Sequence, residues 1–454
     1  MNIAIFAGEV SGDLIGGALA RELLRADPEL TLWGVGSAAM RAAGVEIVED
    51  SASWGAMGVV EALRKVPGLV VGAGPRLRAV VRQRRPDVIV LIDFGAMNVR
   101  AARFCKAHGI KVVYYFPPGT WRRSGDKGAE LARITDLLLV PFPWAEERYR
   151  RLGCNVANVG HPMLDRVRSE MSRDEFASQF GMDPRAPIIG LLPGSRKHEV
   201  SHLMPTLLES ARRIHRKVKD AQFVVGVAPS VSIEMMRDLL MDHADIRDRL
   251  SALWHEFAQE AESKVLKPVR DTADALSPQG QRRLVTVGGV LVSEDKFKAR
   301  LEDQRREAER RSKMGLPPIV LAKGLTYEVL AHSDVLLLCS GTATLEAALF
   351  ETPMVILYRG SKIMEIEYYL RGFHKSIPHI GLPNILADRR IVPELIQRDA
   401  TPEAISEHAL KMLNDPETRH RVKSELRSLK LLLGEPGASG RAARLVLQVA
   451  RSGA

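Results

Sequence analysis

Residues 335–346 read VLLLCSGTATLE, and this stretch decides the fold. Five apolar residues that end in small hydroxylated ones predict a buried strand followed at once by a helix. The first N–H groups of a helix have no partner within it, and they lie at the positive end of the helix dipole. The turn is therefore predicted to bind an anionic group. Its predicted ligand-binding residues are Ser340, Gly341, Thr342 and Thr344.

A second turn of the same kind occurs earlier in the chain. The apolar residues 188–192 run directly into Pro193-Gly194-Ser195-Arg196. Gly194, Ser195 and Arg196 are predicted to converge with the later turn on a diphosphate, because an arginine guanidinium can bind phosphate oxygens through two parallel hydrogen bonds. Glu346 follows Thr342 by four residues on the new helix and is a predicted acceptor for ribose hydroxyls. A nucleotide or nucleotide sugar is the expected ligand.

Composition places the chain among ordinary globular proteins. A length of 454 residues exceeds what one hydrophobic core usually supports, and we expect two domains. No stretch has the roughly 18 uncharged apolar residues of a membrane span. The apolar start, residues 1–7, has no charged leader and is interpreted as the first strand of a cytoplasmic protein. The three cysteines, Cys105, Cys154 and Cys339, are widely spaced and predict reduced packing residues.

The charge balance favours an acidic partner. The formal net charge is +10 and the sequence pI is near 9.5, which suits a nucleotide, an anionic membrane surface or a nucleic acid. Arginine clusters at residues 76–85 and 148–151 are predicted to be solvated helix faces, because no aromatic residues alternate with the arginines as in a groove for single strands. We therefore expect no nucleic-acid partner, and membrane contact stays open.

The order of apolar runs predicts an α/β protein with two Rossmann-like domains. Residues 1–168 alternate short apolar runs with helical patterns, which is typical of a parallel sheet covered on both faces, and residues 169–430 repeat this alternation. Residues 231–317 break it with long charged helical patterns. They are interpreted as a mainly helical insertion, either a spacer or a dimerisation arm, so a homodimer stays open. Residues 431–454 predict a C-terminal helix that packs back on the N-terminal domain.

Asp93 is the predicted acid or base. It ends the buried run 88–92, and ligands of open parallel sheets bind beyond the carboxyl ends of the strands. A simple helix cap is the alternative from position alone. Glu9, in the turn GEVSGD at residues 8–13, and Asp13 would repel phosphate and suit sugar hydroxyls. That turn lacks the G-x-G-x-x-G pattern, so it predicts no dinucleotide.

Further candidates are weaker. Asn384, Glu394 and Gln397 lie in a loop and at a helix start that could return toward the nucleotide, although each pattern alone is typical of ordinary capping. His161 is expected to be structural. The sequence has no H-E-x-x-H, paired C-x-x-C or D-x-D pattern, so we predict neither a metal nor a cofactor. Charge on a departing diphosphate would then be met by arginine and helix termini.

Taken together, the motifs resemble the lipid-A-disaccharide synthase family. Seven blocks match it in chain order: residues 7–13 (AGEVSGD), 57–61 (MGVVE), 86–88 with 92–93 (PDV, ID), 159–162 (VGHP), 191–196 (LLPGSR), 340–346 (SGTATLE), and 382–384 with 393–395 (LPN, PEL). The chain departs from the family pattern in two places. After Asp93 it reads FGAMN where the family has Ala-Pro-Asp-Phe-Asn. Residues 116–123 read FPPGTWRR where the family has Ser-Pro-x-Val-Trp-Ala-Trp-Arg.

The resemblance implies a metal-independent, inverting glycosyltransferase of the GT-B type, with two Rossmann-like domains facing a cleft. It implies a UDP-2,3-diacylglucosamine donor, a 2,3-diacylglucosamine 1-phosphate acceptor and a β-1,6-linked disaccharide product. Asp93 would be the base, Glu9 would position the acceptor, and Arg196 with residues 340–346 would hold UDP. The enzyme would lie peripherally on the cytoplasmic side of the inner membrane.

Two alternatives stay open at the level of sequence. A UDP-sugar epimerase on the same two-domain fold would need no second substrate. A divergent UDP-sugar-binding paralogue, with another acceptor or without transfer activity, would explain the altered residues after Asp93.

Overall fold

The computed structural model describes residues 1–51, 54, 74–120, 128–242, 284–287, 290–293, 317–360, 365, 369–370 and 378–452. The chain divides into two compact units. The first comprises residues 1–167 and 428–454, and the second comprises residues 168–427. The expected boundaries after residues 168 and 430 lie close to these. The C-terminal segment thus belongs to the same unit as the N-terminus.

The described elements alternate strand and helix along both units. The strands are β1 (Asn2–Ala7), β2 (Thr31–Gly36), β3 (Glu46–Asp50), β4 (Val88–Ile92), β5 (Lys111–Tyr115), β6 (Leu137–Val140), β7 (Val156–Asn158), β8 (Ile188–Leu192), β9 (Gln222–Val227), β10 (Leu284–Val287), β11 (Val290–Ser293), β12 (Ile319–Lys323), β13 (Val335–Cys339), β14 (Met354–Tyr358) and β15 (Glu394–Ile396). The helices are α1 (Val10–Ala26), α2 (Ala38–Ala42), α3 (Gly74–Arg84), α4 (Gly95–Ala107), α5 (Leu131–Ile134), α6 (Pro143–Arg151), α7 (Arg173–Gln179), α8 (Lys197–Lys217), α9 (Ile233–Asp242), α10 (Thr326–His332), α11 (Thr342–Leu349), α12 (Leu382–Ala387), α13 (Pro402–Asn414), α14 (Pro416–Leu432) and α15 (Ala438–Arg451), with 3-10 turns at Pro162–Asp165 and Gln397–Asp399.

The first unit is built on a seven-stranded parallel sheet with the order β3-β2-β1-β4-β5-β6-β7. Every residue of the central strand β4 is fully buried, which explains why this segment is apolar without alternation: helices cover both faces. Helix α15 packs against α1. Its residues Ala442 and Val446 share one hydrophobic core with Leu19 and Leu23.

The second unit contains a six-stranded parallel sheet with the order β12-β9-β8-β13-β14-β15. The two turns singled out in the sequence follow β8 and β13, which are adjacent in this sheet with Leu192 opposite Leu338. Because the strands are parallel, both turns lie at the same edge of the sheet. The prediction of an α/β protein with two Rossmann-like parallel sheets is confirmed.

The predicted insertion at 231–317 is described only in part. Residues 233–242 form α9, and β10 pairs with β11 as an antiparallel hairpin. Most of the remaining segment, including its charged run, lies outside the described residues, as do residues 57–61 and 121–123 of the sequence motifs. Among the helices that the structure describes, none combines the length and apolarity needed to cross a membrane.

Candidate functional site

Asp93 directly follows β4 and opens the turn into α4. Asp93 and Phe94 both have a φ of 47°, so two consecutive non-glycine residues adopt the left-handed conformation. Such residues are uncommon and cost on the order of 1–3 kcal/mol each, and they concentrate at functional sites. Asp93 is solvent-exposed, unlike the wholly buried strand before it. The turn therefore presents a carboxylate at the carboxyl edge of the sheet.

The surroundings of Asp93 favour its protonated form. Desolvation by the packed protein around it raises the pKa of the carboxyl, and a hydrogen bond from the backbone of Phe94 opposes this in part. Access of solvent to the residue limits how far the pKa can rise. A carboxylate with a raised pKa is a stronger proton acceptor than an ordinary aspartate, as general-base catalysis requires.

The neighbouring turn after β1 is packed against the Asp93 turn. A Cβ on Gly8 would lie 2.3 Å from the Phe94 ring, so the absence of a side chain at Gly8 allows the ring to rest on the end of β1. Glu9, the predicted acceptor-positioning residue, is half-buried and is the residue before α1. Its backbone oxygen accepts a hydrogen bond from Asp13 N at 2.8 Å.

Asp13 has a structural role, and the sequence-based expectation that it binds sugar hydroxyls is not supported. Its buried carboxylate caps the start of α2: Oδ1 accepts from Ser37 N at 2.6 Å and Met40 N at 3.2 Å, and Oδ2 accepts from Ala39 N at 2.9 Å. These three bonds occupy the carboxylate with the backbone donors of a helix start.

In the second unit, the turn after β8 differs from the expectation in one respect. Its backbone donors bind the chain's own carboxylate: Glu199 Oε2 accepts from Ser195 N at 3.0 Å and Arg196 N at 3.2 Å. Glu199 Oε1 accepts from Arg196 Nη1 at 3.0 Å. Gly194, with φ 119°, leaves room for this arrangement, because a Cβ there would lie 2.6 Å from Glu199 Oε2. The backbone N–H groups of Ser195 and Arg196 are therefore engaged within the chain, and the expectation that they are free for a diphosphate is not supported.

Sequence reasoning missed Glu199. The signal was present, because a Glu or Gln three residues after the residue that caps a helix is typical of a capping box, and Glu199 follows Arg196 by three. Glu199 is 6% exposed. Its charge is compensated by three hydrogen bonds, one of them from a guanidinium.

In the turn after β13, the hydroxyls of Ser340 and Thr344 bond to the backbone, whereas the two central residues are exposed. Ser340 Oγ donates to Ile380 O at 2.8 Å, while Thr344 Oγ1 donates to Gly341 O at 2.7 Å and accepts from Leu382 N at 3.2 Å. Gly341 and Thr342 are exposed, and the Cβ direction of Gly341 opens onto empty space. Ser340 and Thr344 thus shape the turn, and the exposed start of α11 is the part that can receive an anion.

Glu346 lies one turn further along α11 and is half-buried. Tyr327 OH donates to Glu346 Oε1 at 3.2 Å, which fixes one carboxylate oxygen. The pKa of Tyr358, at the end of β14, is raised mainly by burial and to a lesser degree by Cys339 and Glu199. The ends of β8, β13 and β14 lie side by side, because β13 pairs with both β8 and β14.

The three later candidates are structural in this fold, and direct ligand contact by their side chains is not supported. Asn384 is fully buried, with its Oδ1 accepting from Ile391 N and Val392 N and its Nδ2 donating to Val392 O. Buried Glu394 accepts from Ile380 N and Gly381 N, and buried Gln397 accepts from Gly360 N. Their hydrogen-bond partners all lie in the segment between β14 and β15, so the three side chains hold that segment in place.

His161 and the three cysteines are also buried residues of the interior. His161 Nδ1 accepts from Met163 N at 3.2 Å, and burial lowers the pKa of His161 to about 3, so the ring is neutral. All three cysteines are free and buried. Across the residues that the structure describes, no three His, Cys, Asp or Glu side chains come together in a way that could hold a metal ion.

The class follows from these features. Two α/β units, each built on a parallel sheet, are the architecture of GT-B enzymes. Solved structures share this fold. The glycotransferase of kitacinnamycin matches with a TM-score of 0.55 at 15% identity, covering 99% of this chain and 98% of that one. The UDP-GlcNAc 2-epimerase of Neisseria meningitidis matches with a TM-score of 0.53 at 11% identity, covering 99% and 100%.

Sequence comparison identifies the family. The family model described as lipid-A-disaccharide synthetase matches residues 3–252 and 260–448. The lipid-A-disaccharide synthase of Geobacter sulfurreducens is 34% identical over 98% of this chain and 97% of its own length. That of Syntrophus aciditrophicus is 30% identical with the same coverage. The chain therefore belongs to the lipid-A-disaccharide synthase family, glycosyltransferases of lipid A biosynthesis, and the family resemblance found in the sequence is confirmed.

Proposed function

We propose that this chain condenses UDP-2,3-diacylglucosamine with 2,3-diacylglucosamine 1-phosphate. The C6 hydroxyl of the acceptor gives its proton to a base and attacks the anomeric carbon of the donor. The bond from that carbon to the diphosphate oxygen breaks, and UDP leaves with the bonding electrons. The products are the β-1,6-linked disaccharide 1-phosphate, with inversion at the anomeric carbon, and UDP.

Asp93 is the base in this proposal, and its placement is the observation that carries the proposal. It is an exposed carboxylate at the carboxyl end of a wholly buried central strand, with its pKa raised by desolvation. An inverting transfer needs one base beside the acceptor hydroxyl and no covalent intermediate. Glu9, at the adjacent turn after β1, would accept hydrogen bonds from the acceptor and orient it.

The donor is assigned to the second unit. The exposed start of α11 at Gly341 and Thr342 would bind the diphosphate through backbone N–H groups, and Arg196 would add a guanidinium at the same sheet edge. Glu346 would accept hydrogen bonds from ribose hydroxyls. As UDP departs, the developing charge would be stabilised by Arg196 and the helix terminus.

The acylated substrates imply contact with a membrane. The net charge of +10 favours an anionic surface, and we propose that the enzyme is cytoplasmic and associates peripherally with the inner membrane. Vesicle flotation with and without anionic lipid tests this. Binding that requires anionic lipid and weakens at high salt supports the proposal, and the absence of binding contradicts it.

The reaction is tested by mass spectrometry of products formed from the two proposed substrates. Disaccharide 1-phosphate and UDP in equal amounts support transfer. Incubation with the UDP-sugar alone separates an epimerase, since only an epimerase would convert it without an acceptor. Binding of UDP without any product would favour a silent UDP-sugar-binding paralogue.

Asp93→Asn tests the base, with Asp220→Asn, an exposed aspartate of the second unit, as the matched control. We expect loss of transfer by a factor of roughly 10²–10⁴ in Asp93→Asn, with UDP affinity unchanged. Full activity in Asp93→Asn would mean that another group removes the proton.

A further inference from the structure

The peptide unit that follows Asp93 is held by two side chains. Asn98 Nδ2 donates to Asp93 O at 2.9 Å, and Tyr114 OH donates to the same oxygen at 2.9 Å. Both side chains are buried, Asn98 at 2% and Tyr114 at 0% exposure. The carbonyl oxygen has two lone pairs, so these two donors satisfy it completely.

Asn98 also ties this carbonyl to the strand. Its Nδ2 donates to Ile92 O at 3.0 Å, and it lies 3.5 Å from Phe6 O on β1. All three surrounding groups are acceptors, which fixes the orientation of the amide. One side chain thereby joins the end of β4 and the left-handed turn into a single unit.

The rest of the turn is equally restrained. Asp93 N donates to Tyr115 O at 3.0 Å, and Phe94 O accepts from the backbone N–H groups of Met97 and Asn98. The Phe94 ring fills the space beside Gly8. Two successive left-handed residues persist only where their surroundings enforce them. A strained turn between strand and helix also presents the reactive side chain in other α/β enzymes.

We propose that Asn98 and Tyr114 are positioning residues, which hold the carbonyl of Asp93 and thereby aim its carboxylate outward from the sheet edge. The inference rests on the proposed role of Asp93 as the base. Neither side chain needs to touch substrate, since both act on the backbone of the residue that does. Without them the turn would relax toward ordinary backbone angles, and the carboxylate would leave its reactive orientation.

Tyr114→Phe is the sharpest test, because it removes one donor and conserves the packing of the ring. The chain offers a matched control in Tyr115→Phe. Tyr115 is the next residue of β5 and is equally buried, and its hydroxyl has no hydrogen-bond partner among the described residues. Both substitutions remove one buried oxygen from the same strand, and only the first disturbs Asp93.

Two measurements are made on the full chain. Hydrogen–deuterium exchange without ligand follows the amides of residues 93–98, and kinetics with the two substrates separate kcat from KM. We expect Tyr114→Phe to speed exchange in this segment and to lower kcat by roughly tenfold, with KM for the UDP-sugar within about twofold. Tyr115→Phe should match the wild type in both measurements.

Unchanged exchange in Tyr114→Phe would overturn the inference, whatever happens to turnover. Faster exchange with unchanged kcat would also overturn it, because the hydrogen bond would then hold the turn without serving the base. Failure of the proposed function looks different: Asp93→Asn would keep full activity. Asn98→Ala should also speed exchange and lower kcat, with a larger effect than Tyr114→Phe. If Asn98→Ala does not fold, Tyr114→Phe alone tests the inference.

Discussion

Glu199 and Arg196 form one unit at the start of α8: the carboxylate accepts from the Arg196 guanidinium at 3.0 Å and from the Arg196 backbone N–H at 3.2 Å. The backbone donors that a phosphate could use are thus engaged, while the guanidinium is held in place. A guanidinium has five N–H donors, so the contact with Glu199 leaves others for a ligand. Arg196 is therefore fixed in orientation and still able to bind an anion.

Arg196→Ala should weaken UDP binding by about one to two orders of magnitude, the range expected for losing a charged hydrogen-bond partner worth about 1.5–3 kcal/mol. Calorimetric titration with UDP measures this. Arg216→Ala is the matched control, since Arg216 is an exposed arginine near the far end of the same helix. Equal affinities for both variants would remove Arg196 from the donor site.

Glu199→Gln should lower the free energy of unfolding by about 1–3 kcal/mol. The substitution replaces one acceptor oxygen with an amide donor, and that donor would face either the Arg196 guanidinium or the two backbone N–H groups. Urea denaturation measures the change. Glu209→Gln, on the same helix and paired with Arg212 at 3.5 Å and Arg213 at 3.6 Å, should stay within about 0.5 kcal/mol of the wild type.

The pKa that governs the acidic limb of the kcat/KM profile should lie above the ordinary range for an aspartate, because the packed protein around Asp93 desolvates its carboxyl and raises its pKa. Activity should fall as the pH decreases through this pKa, since protonation removes the base. Rates measured from acid to neutral pH test this. A limb at or below the ordinary aspartate range would contradict the role given to Asp93.

Asp93→Asn should raise thermal stability at neutral pH although it lowers transfer activity by the factor given above. A carboxyl whose pKa is raised in the folded state contributes stability below its unfolded pKa and loses it as the pH rises through the folded pKa. Asn stays neutral throughout, and it adopts the left-handed conformation as readily as Asp does. The gain in melting temperature over wild type should therefore shrink as the pH falls toward the acid range. A gain that is independent of pH would point to backbone conformation alone.

Gly8→Ala should destabilise the first unit and reduce turnover, because its Cβ would lie 2.3 Å from the Phe94 ring and must displace it. We expect a loss of about 1–3 kcal/mol. Gly440→Ala is the control: a Cβ there meets its nearest neighbour, Glu22, at 3.5 Å, and alanine favours the helix. Equal melting temperatures for the two variants would show that the ring moves without cost.

Strand ends were the most predictable part of the molecule. The apolar runs before Asp93, Pro193 and Ser340 are long enough to identify buried parallel strands, and the edge where parallel strands end follows from that topology. The cluster of the β8 and β13 turns could thus be predicted from sequence. The exposed carboxylate of Asp93 follows from the same logic.

The burial and the hydrogen-bond partners of the polar side chains could not be predicted in the same way. From the sequence alone, three polar residues are expected in surface loops: Asn384, Glu394 and Gln397. In the structure each is buried and bonds to backbone groups that only tertiary packing brings close. Asp13 caps a helix that begins 25 residues later in the chain, at Ala38. Local sequence patterns predict which helix, strand or turn a residue belongs to. The hydrogen-bond partners of its side chain depend on contacts that are distant in the sequence.

The helix α15 completes the core of the first unit from the far end of the chain, with Ala442 and Val446 beside Leu19 and Leu23. During synthesis on a ribosome, the whole of residues 168–427 emerges before this helix does. The second unit can therefore reach its native state while the first still exposes apolar surface along α1. The first unit thus completes its core only after the last segment of the chain has left the ribosome, in contrast to the usual N-terminal-first order of domain folding.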